Sequence, residues 1–296
     1  RLYSSPRKKE LAENCHPFAV EIKDFTKPVD ILAVDVPAGY TTLFVFPYSV
    51  GFQFSGFKNL AALNEAITKR LKNLGVTTLL FMRHLELIEY EIKIPGKEAS
   101  GEYLLDAEPV NDHCTRVSAI ESEDDKTDES LSFIKFSMPI DSMVSTRTID
   151  VAFTVATDKE GKTTFQKAKN PYISVYFPTE TESKLDFIVQ GPFRTTPNRS
   201  SVPADEEENE ALAEQTAKLL RQSVLELRDM GLLDLSLIRI LPLDEDDFDV
   251  YPLFYPLYEE MRDLFSSERV LPVKDGKGYT KAANAVIARS REIAEL

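Results

Sequence analysis

Two cysteines in 296 residues are too few for a disulfide framework, which agrees with a reducing compartment or simply with no need for bridges. Long apolar runs are missing too. None approaches the roughly 18 to 20 residues that cross a bilayer, and the basic stretch Arg1 to Lys9 has no apolar segment behind it. A secreted precursor and a membrane partner are therefore not expected, and the expected location is cytoplasmic. Positive charge is the third shortage. With 35 Lys and Arg against 49 Asp and Glu the net charge is −14, the wrong sign for engaging phosphates along a nucleic acid or an anionic membrane. No nucleic-acid partner is expected.

The common catalytic signatures are absent as well. There is no G-x-S-x-G, H-E-x-x-H or paired C-x-x-C, and Gly276-Lys277-Gly278 lacks both the upstream Gly and the Ser or Thr after Lys that a phosphate loop needs. The pairs Cys15-His16 and His113-Cys114 resemble zinc donors only by type. Neighbours on a strand point to opposite faces, and zinc ligands stand two to four residues apart. Counting from Asp244, the sixth residue is Asp249 where a calcium loop needs Gly, and the twelfth is Tyr255 where it needs Glu. No metal site is expected.

What is present is a chain of alternating character. The acids are concentrated: Glu121 to Glu129, Asp205 to Glu210 and Asp244 to Asp249 hold 16 of the 49, expected as loops around a nearly neutral body. Phe18 to Tyr48 reads as short strands, and Leu60, Leu63, Ile67, Leu71 and Leu74 recur at helical spacing up to Gly75. Val76 to Met82 is expected as a buried strand, so the first 83 residues end as strand, helix, strand. From Leu87 to about Arg194 period-two signals dominate, with Ile88, Tyr90, Ile92 and Ile94 alternating with charged residues, and predict a mostly antiparallel sheet. After Pro203 the period lengthens. Asp205 with Glu208 is a plausible capping box for a helix whose Leu212, Thr216, Leu219, Ser223, Leu227 and Met230 share a face and which Gly231 closes. A short helix at Leu235 to Leu241, a helix from about Leu253 to Phe265, a strand at Arg269 to Val273 and a terminal helix from Lys281 complete the expected order.

One loop carries unusual chemistry. Gln190 to Ser201 holds Arg194, Arg199, Asn198 and four hydroxyls between prolines, joining a strand to the helix that follows. Arginine forks match phosphate oxygens, and a helix N-terminus supplies free N–H donors. The plain alternative is a surface turn whose arginines pair with the acids beginning at Asp205.

The stretches Ile173 to Pro178, Phe187 to Arg199, Arg269 to Pro272 and Gly278-Tyr279 resemble the region after the nucleotide-binding domain in sacsin-like proteins, relatives of the heat-shock protein 90 chaperones in the GHKL ATPase superfamily. Gly39 to Pro47 resembles that family's late G-T-x-F strand, and Arg83-His84-Leu85 with Ile88-Glu89-Tyr90 resembles the start of its middle region. In order, the likeness spans about three quarters of the chain. It implies an α/β (α+β) fold: the end of a Bergerat-type ATP-binding domain over 1–83, a middle-domain-like region over 84–250 with a largely antiparallel sheet, and a small C-terminal helical and strand unit over 251–296.

The resemblance also implies roles. Thr42, with Thr41 behind it, matches the residue that helps hold the adenine of ATP; Arg199, with Arg194 second, matches the middle-domain arginine that reaches the terminal phosphate, and Asn198 lies beside it. The implied cofactors are ATP and Mg, the latter held by residues this sequence lacks. Neither the Glu that activates water nor the Mg-binding Asn nor the family's Gly-rich loops is found. Arg1 as first residue and a helical pattern up to Leu296 lead to the expectation of a piece of a longer ATPase, inactive alone. The implied partners are an upstream ATP-binding segment in cis, with a protein client and a second copy left open. The competing reading is a non-catalytic module that binds a client or partner through its sheet and acidic loops.

Overall fold

Alternating residues between 87 and 190 form a nine-stranded sheet in the computed structural model, which describes residues 59–82, 84–94, 96–123, 126–140, 147–273 and 278–285. The chain divides into two compact units, Arg1–Asn73 and Leu74–Leu296. In the first, the expected helix is α1 (Leu60–Lys72). Asn59 caps it, its Oδ1 accepting the Ala62 N–H at 2.9 Å, and Lys69, Arg70 and Lys72 favour the negative end of the helix dipole. Gly75 takes φ +83°, the conformation its lack of a side chain permits.

The second unit opens with a correction. Val76 to Met82 is not a strand but a 3-10 turn over Val76–Leu79, with Leu80 N–H donating to Thr77 C=O and Met82 N–H to Leu79 C=O. A short apolar run without alternation looks the same whether it becomes a strand or a buried turn. Val76, Leu79, Leu80 and Phe81 are all buried, so the run keeps its expected burial but closes no strand-helix-strand unit.

The strands are β1 (Leu87–Ile94), β2 (Lys97–Pro109), β3 (Cys114–Glu123), β4 (Lys126–Pro139), β5 (Thr148–Thr157), β6 (Thr163–Gln166), β7 (Tyr172–Val175), β8 (Phe177–Glu182) and β9 (Ile188–Gln190). They lie in the order β1-β2-β3-β4-β5-β9-β7-β8, with β6 also paired to β5. Every pairing is antiparallel except β7 with β9, in register at Ser174 and Gln190. Strand β2 is the least foreseeable. Its Lys-Glu-Ala-Ser-Gly-Glu start lacks strand formers, and Gly101 is tolerated because a Cβ there would overlap the Tyr90 ring directly across the pair.

The acidic stretch from Glu121 is another correction. Its ends are strand rather than loop: Glu121 and Glu129 stand opposite each other on β3 and β4 beside a register shift, where like charges oppose pairing. Tyr103 donates its hydroxyl to Glu121 and Lys169 pairs with Glu129, both at 3.0 to 3.2 Å, which offsets the repulsion.

Helices α2 (Glu207–Asp229), α3 (Leu235–Ile238) and α4 (Tyr255–Ser267) follow the sheet, with a small pair β10 (Leu271–Pro272) and β11 (Tyr279–Thr280) behind them. The terminal helix expected from Lys281 is a 3-10 turn over Ala282–Asn284 as far as the chain is described. Two hydrophobic clusters lie on opposite faces. Phe136, Val151, Phe153, Phe187 and Val189 pack with Leu219, Leu220 and Val224 of α2 and Leu257, Met261 and Leu264 of α4; residues 251–267, expected as part of a separate C-terminal unit, thus share the core of the sheet. On the other face Tyr103, Leu105, Val117, Phe133 and Ile188 pack on the 3-10 turn. Seven consecutive residues of β5 are buried because both its faces are covered. The architecture is α+β, a largely antiparallel sheet with C-terminal helices, and no described helix is long and apolar enough to cross a membrane.

Candidate functional site

Strand β9 runs straight into the arginine loop. Gly191 is needed because a Cβ there would come within 2.8 Å of the Phe193 ring. That ring is buried edge-on against Phe254, centroids 5.9 Å apart, and anchors the loop at its start. Gln190 itself is buried beside Ser174, and its Oε1 has no hydrogen-bond partner among the described residues.

The far side of the loop is fastened by a residue the sequence reading passed over. Asn209, completely buried on the first turn of α2, accepts the Arg194 N–H at 2.7 Å and donates to the carbonyls of Arg194 (3.1 Å) and Pro203 (2.8 Å). One amide thereby closes the loop at both ends. The available signal was an Asn inside an otherwise acidic helix start, Glu206 to Glu210. The predicted capping box does not form. The helix starts one residue later than the box requires: Glu206, not Asp205, is the N-cap residue and makes no side-chain cap bond, and Glu208 falls on the second helical position with its carboxylate engaged elsewhere.

Its partner is Arg194. Nε and one terminal nitrogen of the guanidinium reach the two Glu208 oxygens at 2.6 Å each, a fork-to-fork geometry. The hydrogen bond from Arg194 holds the Glu208 carboxyl below its ordinary range, and Glu208 raises Arg194 in turn. Both side chains are solvent-facing, so salt and water weaken the pair. Arg194 nevertheless has its charge matched.

Arg199 has not. It sits at φ +60°, a left-handed conformation unusual for a residue with a long side chain, and its N–H closes a turn onto the Thr196 carbonyl at 2.8 Å. Its guanidinium donates to the Val175 carbonyl at 3.0 Å, next to Tyr176, itself at φ +65°. No carboxylate lies within ion-pair distance of Arg199 among the described residues. Asn198 supports the turn: its Oδ1 accepts from the Thr196 hydroxyl (2.7 Å) and the Ser200 hydroxyl (2.9 Å). Its oxygen is therefore committed to the loop.

The other candidates separate from this site. Thr41 and Thr42 lie outside the described residues, as do Cys15 and His16. Cys114 opens β3 fully buried while His113, just before the strand, is exposed, and burial pushes the Cys114 thiol up to about 11, far from a reactive thiolate. No group of three metal-ligating side chains occurs among the described residues. Asp246 to Phe248 form a 3-10 turn whose neighbour Glu245 accepts from the Tyr255 and Tyr258 hydroxyls, a structural use of the third acidic run.

The fold and loop thus define a class, an α+β protein whose sheet presents a braced loop with one matched and one unmatched arginine. No family model, curated protein or solved structure matches the chain.

Proposed function

We propose that the chain comprises the end of a GHKL-type, Bergerat-fold ATP-binding domain and the middle region of a sacsin-like or heat-shock-protein-90-like ATPase, in which Arg199 meets the terminal phosphate of ATP. The contrast between the two arginines carries this reading. Arg194 is matched by Glu208, whereas Arg199 is held by one bond to a backbone carbonyl and keeps donors for an anion. A planar, permanently charged fork of that kind stabilises the charge that spreads over a transferring phosphoryl group. ATP with Mg supplies that group, and the metal would be held by residues other than those described.

In this reading the chain's own residues do three things. Asn209 fixes the height of the loop over α2, the Thr196, Asn198 and Ser200 bonds hold the turn that aims Arg199, and the sheet-and-helix core relays docking of the loop to later segments as a rigid body. Glu208 keeps Arg194 out of the way until an anion competes for it. The location consistent with such a protein is cytoplasmic.

The test is turnover in a protein that carries the complete ATP site. Arg199→Ala is expected to slow it about a hundredfold or more, Arg199→Lys to recover only part because the fork is lost, and Arg194→Ala to change it a few-fold. Unchanged turnover in Arg199→Ala would reject the assignment and favour the non-catalytic module.

A further inference from the structure

Away from the arginine loop, the described residues leave part of one face of the sheet open. On the side where α2 covers β4 and β5, neither β1 nor β2 contributes a residue to the helix-side cluster. The register there aligns Leu87 of β1, Leu104 of β2 and Ile120 of β3 in one row across three strands. Leu87 is 41% exposed, and Leu104 and Ile120 are only half-buried. Two residues along the same face, Glu89 and Glu102 stand directly opposite each other, and Asp106 flanks the row on its other side. None of the three acids has an ion-pair partner among the described residues; Glu91 is occupied by Lys93 at 2.6 Å, and Arg116 lies farther along.

We propose that this face is a docking surface for a basic, amphipathic peptide segment, one that sets an apolar side chain on the Leu87-Leu104-Ile120 row and a Lys or Arg between Glu89 and Glu102. Charge complementarity and exposed apolar surface together favour this occupant. Two carboxylates facing across a strand pair repel in the free protein, and a cation placed between them relieves that repulsion while binding. A second copy of the chain is the wrong occupant, because each copy would bring the same acids and a net charge of −14 to the contact. The inference is independent of the nucleotide reading and uses none of its residues.

The probe is a short fluorescent peptide alternating Lys with Leu, titrated against the full chain by anisotropy. The expected result is salt-sensitive binding, about tenfold weaker for the Glu89→Gln/Glu102→Gln double variant, the loss expected from two exposed ion pairs at the upper end of their usual worth. Leu87→Ser is expected to weaken binding separately, and a Ser-for-Leu peptide to bind less tightly to the unaltered chain. The double variant removes a like-charge pair, so its folding is not at risk. Equal weakening when Asp244 and Asp246 are neutralised instead would mean undirected attraction to an acidic protein and would overturn the proposal. So would concentration-dependent self-association in sedimentation that Leu87→Ser abolishes, which would assign the face to a second copy.

Discussion

Strands β4, β5 and β9 are covered on both faces, by helices on one side and by the 3-10 turn on the other, whereas β1 and β2 are packed on one side and open on the other. The sequences differ accordingly. Thr148 to Thr157 is buried almost without a break, while Leu87 to Ile94 alternates apolar with charged residues. The doubly covered half holds the arginine loop at the end of β9 on a rigid base, and the singly covered half presents side chains to solvent. Position and exposure are thus assigned to different parts of one sheet: the covered part fixes geometry, and the open part offers surface.

The sharpest test of that division is core truncation. Phe153 is fully buried and meets Phe136, Phe165 and Phe187 at ring centroids of 6.2, 6.0 and 5.2 Å. Phe153→Ala is expected to cost about 3 to 5 kcal/mol of unfolding free energy in urea, through lost burial and the cavity left behind. Leu87→Ala on the open face is expected to cost about 0.5 kcal/mol or less. Comparable losses at the two positions would mean that the two halves are not distinguished by burial.

Next in size comes the fastening of the loop. Asn209→Ala leaves the Arg194 N–H and two carbonyls without the Asn209 amide in a partly buried setting, expected to cost about 1 to 2 kcal/mol. Asn209→Asp is expected to do no better, since it turns a carboxylate oxygen toward the carbonyls that the NH2 group served. Hydrogen exchange should then speed up between Arg194 and Ser201 and remain slow in β5. Acceleration across the whole sheet would place Asn209 in the core rather than in the loop.

Much of the open part of the sheet was legible because alternation is a direct imprint of one-sided burial: β1 stands where Ile88, Tyr90, Ile92 and Ile94 alternate with charged residues, and α2 shows its face of Leu212, Thr216, Leu219, Ser223 and Leu227. The buried Thr216 and Ser223 are tolerated because each hydroxyl donates to the carbonyl one turn back, Leu212 and Leu219, at 2.7 Å. The run at Val76 misled because burial without alternation does not specify backbone shape. Strand β2 was hidden since its partners, not its composition, make it a strand. In the loop, the types and spacing of Arg194 and Arg199 were visible, but which was matched depended on Glu208 pairing with Arg194, a tertiary choice with no local signature.

The smallest expected effect is the most diagnostic of the open face. Glu89 and Glu102 are directly paired across β1 and β2, with no ion-pair partner for either among the described residues, so replacing one of them by Gln should stabilise the fold, by about 0.2 to 0.5 kcal/mol. The gain should fade as salt is raised toward about 1 M, where the screening length falls to about 3 Å, because nothing but charge is altered. A gain that survives high salt would come from packing or strand preference. A loss at every salt concentration would mean that the two carboxylates are engaged with donors in solution, and that the repulsion a basic partner is proposed to relieve is already relieved within the chain.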